Sequence, residues 1–94
     1  MATVEPTVLI DDARVRASRF DFAPGDETGH HVHAFAYVIV PLTDGVLRIV
    51  SDDGTETDAP LQMGVPYSRP AGVSHNVLNG ADTPLSFLEI EIKT

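Results

Sequence analysis

A chain of 94 residues fits one domain, residues 1–94, and its 43% apolar share is enough for a small core. Fourteen acids against six bases give a net charge of −8, which argues against nucleic acid and anionic membrane surfaces as partners. There is no cysteine, so disulfides, thiolate metal sites and thiol nucleophiles are excluded.

The first ten residues have no basic flank and no long apolar run, and they carry Glu5 and Pro6. No secretory leader is expected from them, and cytoplasm is the expected location. No apolar stretch approaches the ~20 residues of a membrane-spanning helix. Val8-Leu9-Ile10 is a short apolar run stopped by Asp11-Asp12. From Ala13 to Phe22 the pattern alternates, with Val15 and Ala17 on one face and Arg14 and Arg16 on the other. Phe20 and Phe22 break that phase, which predicts a bulge or a strand covered on both sides. Pro24-Gly25 ends the run.

Phe35 to Leu42 is almost wholly apolar, and its length and Val/Ile/Tyr content predict a buried strand. Thr43-Asp44-Gly45 reads as a hairpin turn returning into Val46 to Val50, and Asp52-Asp53-Gly54 as a second. Thr55 to Ala59 reads as a polar edge strand. Val65 to Arg69 and Ser74 to Leu78 follow, separated by Pro70-Ala71-Gly72, and Asn79-Gly80 is another turn. In Leu85 to Ile92 the alternation sets Leu88, Ile90 and Ile92 against Phe87, Glu89 and Glu91, with both glutamates expected on the wet face. Phe20, Phe22, Phe35 and Phe87 are expected in the core. No helical period, repeat or low-complexity tract is present. The pattern is all-β, and by itself it leaves an immunoglobulin-like sandwich and a jelly roll both open.

Residues two apart on a strand share a face, so His31 and His33 point the same way, as would Phe35 and Tyr37. Two neighbouring imidazoles are a ready pair of metal ligands, although exposed strand histidines would read the same. His30 falls on the opposite face and is expected to be an exposed loop residue.

Gly25 to Tyr37 has the form G-x5-H-x-H-x3-Y, and Gly64 to Asn79 the form G-x5-P-x-G-x2-H-x3-N. Together they resemble the two motifs of the cupin superfamily, over residues 25 to 79. The resemblance implies an all-β jelly-roll barrel of the double-stranded β-helix type. It also brings His75 beside His31 and His33, as ligands of one divalent metal ion such as Fe, Zn, Ni or Mn. Gly45, Gly64 and Gly72 fit turns that need positive φ.

Cupins place a glutamate three or four residues after the second histidine, where this chain has Tyr37 and Val38. The acid is missing, which leaves either three histidines with open coordination positions or a weakened, metal-free cluster. A divalent ion on three neutral ligands keeps its full charge and favours an anionic ligand. Glu27 is a conceivable replacement ligand or a solvated loop acid.

Tyr67 and Arg69 share parity near the pocket. Arg69 can fork a carboxylate or pair with a surface acid, and Tyr37 and Tyr67 can donate to a ligand or pack in the core. The candidate catalytic residues are therefore Tyr37, Arg69 and Tyr67. The run from His31 to Leu42, with Tyr67-x-Arg69, looks like a group of small bacterial cupins, some associated with β-alanine or other amino-acid breakdown. The expected function is a metal-dependent enzyme, an oxygenase or an isomerase or decarboxylase, on a small anionic molecule. The alternative is a non-catalytic ligand- or metal-binding module. A homodimer is expected through Val8 to Ile10, which would otherwise pair with the chain's own last strand.

Overall fold

The computed structural model describes residues 2–94, and these form nine strands and no helix. In chain order they are β1 (Thr7–Asp11), β2 (Val15–Phe22), β3 (His31–Val32), β4 (Ala36–Pro41), β5 (Gly45–Ser51), β6 (Glu56–Leu61), β7 (Tyr67–Arg69), β8 (Ser74–Asn79) and β9 (Leu85–Ile92). Two antiparallel sheets face each other, one in the order β1-β2-β9-β4-β7 and the other β3-β8-β5-β6. This is the jelly roll the motifs imply. Among the described residues no helix is long and apolar enough to cross a membrane.

Between the sheets lies a core of Phe22, Tyr37, Ile39, Leu47, Leu61, Val77, Leu85 and Phe87. Phe22 and Leu85 are each 1% exposed and directly opposed across β2 and β9, and burial of such side chains contributes ~1.5–3 kcal/mol each. Phe20, Phe22 and Phe87 stack at centroid separations of 5.3 to 6.4 Å.

Several local readings of the sequence change. Thr43-Asp44-Gly45 carries the chain from one sheet to the other rather than closing a hairpin, since β4 pairs with β7 and β9 while β5 pairs with β6 and β8. The hairpin around Asp52-Asp53-Gly54 does form, joining β5 to β6. Gly64 and Gly72 have φ of 77° and 92°. Gly45 does not; its constraint is space, because a Cβ there would lie 3.3 Å from Leu85 Cδ2.

The β2–β9 register is unbroken, and the bulge lies instead in the β1–β2 pair, between Val8 and Ile10. β1 pairs with β2, not with β9. Phe35 sits in a bend before β4 and is only partly buried.

The largest correction is in β9. Phe87, Glu89 and Glu91 share the core face with Leu85, while Leu88, Ile90 and Ile92 face outward. Apolar residues on the outer face and acids on the inner one invert the usual pattern.

Candidate metal centre

His31 is the first residue of β3, His33 lies just past its end, and His75 stands directly opposite His31 on β8. The backbone at His33 is held by hydrogen bonds to the Gly72 turn: its N–H donates to the Val73 carbonyl at 2.8 Å, and Gly72 N–H donates to its carbonyl at 2.8 Å. The positive φ of Gly72 makes that turn possible, so the second motif's glycine fixes the first motif's histidine. Strand parity alone does not place His33, because the strand ends before it.

The three rings stand nearly perpendicular to one another, with interplanar angles of 77°, 74° and 89°. Their Nε2 atoms converge. Those of His31 and His33 are 3.0 Å apart, and those of His33 and His75 are 3.1 Å apart. His33 and His75 are 8% and 7% exposed.

The donor chemistry fits a cation. Gly29's carbonyl, 2.9 Å from His31 Nδ1, can only accept, so Nδ1 carries a proton and Nε2 is the ring nitrogen turned to the cluster. Thr28 Oγ1 lies 3.2 Å from the same Nδ1. Burial, then the neighbouring His31 and His75, push the pKa of His33 down to about 4. Burial and His31 first among its neighbours do the same for His75, also to about 4. Both are neutral near pH 7, the form a metal needs. Nitrogens ~2.1 Å from one ion and at right angles to each other lie ~3.0 Å apart, which is the spacing seen here. The cluster is able to hold a metal ion, and no carboxylate is part of it. Glu27 does not join it; its backbone instead bridges Thr3 and Leu78.

His30 is exposed and turned outward, with its Nε2 2.7 Å from Asp52 Oδ1. Tyr37 lies flat on His33, ring centroids 3.8 Å apart and planes 20° from parallel. Burial, with Glu89 nearby, raises the Tyr37 hydroxyl to about 12, which makes a phenolate ligand unfavourable. Arg69 is opposite Tyr37, and Tyr67 opposite Ile39, across β4 and β7. Burial raises the pKa of Tyr67 too. His31, His75, Tyr37, Tyr67 and Arg69 all line one cavity of about 370 Å³.

The sequence reading missed Glu89. Its side chain is 12% exposed and lines the cavity, and its Oε1 lies 4.0 Å from His33 Nδ1. Burial, reinforced by Glu91, pushes its pKa up to about 7. Beside a neutral His33 this is a polar contact rather than an ion pair, and it lies on the side of the ring away from the converging nitrogens. At 4.0 Å it is beyond hydrogen-bond range and faces the ring nitrogen opposite the converging one.

A cupin domain from Bordetella pertussis has the same fold, with a TM-score of 0.93 and 46% identity over 99% of this chain and 96% of that one. The chain belongs to the cupin family. This cupin is also 49% identical to the β-alanine degradation protein BauB of Pseudomonas aeruginosa over 88 residues, covering 94% of this chain and 92% of the relative. A double-stranded β-helix protein from Klebsiella pneumoniae, at 18% identity and a TM-score of 0.79 over 97% of this cupin and 77% of that chain, shares the fold. No family model matches the sequence.

Proposed function

We propose that this cupin is a metal-dependent enzyme acting on a small organic anion, with His31, His33 and His75 holding one divalent ion. The observation that carries this is the convergence of three Nε2 atoms, those of His33 and His75 buried and neutral near pH 7, beside a cavity lined by His31, His75 and Arg69. When bound, the ion supplies Lewis-acid or redox chemistry at its open positions. Arg69 holds the carboxylate of the substrate in a fork. Tyr37 and Tyr67, both protonated at neutral pH, donate hydrogen bonds to the bound molecule. The apolar remainder of the lining excludes water. The 49% identity to the β-alanine degradation protein BauB favours a carboxylate as the ligand.

The competing reading, a non-catalytic ligand-binding module, is suited by the largely apolar lining. Incubating metal-loaded protein with small carboxylates, and following both oxygen uptake and substrate loss by NMR, separates the two. Turnover that falls at least tenfold in Arg69→Gln supports the enzyme; saturable binding without any turnover supports the module.

The assembly that fits this surface is a C2 homodimer. β1 is a sheet edge with Val8, Leu9 and Ile10 45%, 55% and 50% exposed. Ile10, Ala17, Ile90 and Val38 then form one apolar row across four strands on the outer face.

A further inference from the structure

The cavity is graded in polarity along its length. In the four-stranded sheet the register sets His31, His75 and Ser51 in one row. One step along, Val77, Ile49 and Thr57 form the next row, and Leu47 and Ala59 stand in the row after that, with Asn79 beside Leu47 but outside the cavity lining. On the facing sheet Tyr37 is opposite Arg69, the next row has Ile39 between Tyr67 and Glu89, and the third has Pro41 opposite Phe87. The His33–Tyr37 stack puts the two polar rows at the same end. At ~3.3 Å per strand residue, successive rows are ~7 Å apart. The four-stranded wall thus passes from imidazole to aliphatic groups over ~14 Å, while the facing wall keeps Tyr67 and Glu89 in its second row and turns to proline and phenyl only in its third.

Arg69 is the sole lysine or arginine in the lining among the described residues. Glu89 is the sole carboxylate there, and it is turned toward His33. The volume is about 370 Å³. With ~30 Å³ per water, that is room for roughly a dozen waters or a similar number of non-hydrogen atoms. A three-carbon amino acid fills roughly half of it.

We propose that the cavity takes a monocarboxylate with an extended apolar body, its carboxylate on Arg69 beside the histidine row and its body along Val77, Ile49, Leu47 and Ala59. This rests on the reading of the site as one for organic anions. The body that fits has roughly six to nine carbons. A free three-carbon amino acid leaves the apolar rows uncovered and sets its ammonium among them.

Calorimetric titration of the metal-free protein with propionate, hexanoate, octanoate and β-alanine tests this. Affinity rises about fourfold per methylene from propionate to octanoate, and β-alanine binds no better than propionate. Arg69→Gln weakens all the carboxylates alike. Ala59→Phe, which fills the far end, removes the gain beyond hexanoate; should that variant not fold, Ile49→Ala carries the rise to longer chains. Affinity that is flat with chain length, or β-alanine binding above octanoate, overturns the proposal. Cobalt(II) titration of the same samples separates the two claims. A rising series without cobalt binding leaves the cavity assignment standing and removes the metal, and cobalt binding with a flat series does the reverse.

Discussion

Tyr37 lies flat against His33, with ring centroids 3.8 Å apart, in the sequence position where most cupins place a ligating glutamate. The stack buries one face of the imidazole and holds its plane. A hydroxyl raised to about 12 keeps its proton, so the ring's contribution to the metal is positional.

Tyr37→Phe keeps the stack and loses only the hydroxyl. Metal content by elemental analysis is expected to be unchanged. Turnover of any substrate that accepts the phenol's hydrogen bond falls about tenfold or more. Loss of metal in this variant would make the tyrosine a ligand.

Burial of the Glu89 carboxyl costs stability. The group lies on the core face of β9, 4.0 Å from His33 Nδ1. Glu89→Leu removes a desolvated acid, so the metal-free protein is expected to melt at a higher temperature. The same change removes the acid that faces His33 Nδ1, and metal binding is expected to weaken by up to about tenfold, the Tyr37 stack still holding the ring. Unchanged metal affinity would show that the contact does not orient the ring.

The pH dependence has two opposing parts. His33 and His75 titrate at about 4 in the folded chain against 6.5 unfolded. Between those values the unfolded state binds more protons, so their stability is complete above pH 6.5 and is lost as pH falls to about 4. Glu89 is raised from 4.5 to about 7, so its contribution is complete below pH 4.5 and is lost as pH rises to about 7. Two histidines outweigh one acid, and the melting temperature of metal-free protein should fall on acidification from pH 6.5 to 4. Glu89→Gln removes the opposing part and steepens that fall. A flat profile would mean that the rings are not held neutral.

The exposed edge at β1 and the apolar outer row predict a dimer mass by light scattering at micromolar concentration. Ile10→Lys should return it to a monomer while leaving the cavity lining intact. A monomeric parent chain would remove the dimer from the account.

Much of the site was legible because it is local. His31-Val32-His33 and the Gly72-to-His75 spacing are short motifs, and the glycine's positive φ is written into the residue type. Which sheet a strand joins is not local. The turn at Thr43 to Gly45 signals a reversal equally well for a hairpin and for a crossing. Glu89 was hidden for a different reason. Alternation identifies the core by hydrophobicity, and β9 turns Leu88, Ile90 and Ile92 outward while its inner face, beyond Leu85 and Phe87, carries Glu89 and Glu91. The unbroken β2–β9 register places Phe20 and Phe22 on one face with Arg16 and Ser18, so the apparent phase change in β2 has the same origin.

Whether His31, His33 and His75 hold one ion is decided by titration of metal-free protein with cobalt(II), followed by its visible absorbance. One equivalent per chain is expected, with binding lost in His33→Ala and weakened at least tenfold in His31→Ala and His75→Ala. Absence of a stoichiometric endpoint, or an endpoint that survives all three substitutions, would contradict it.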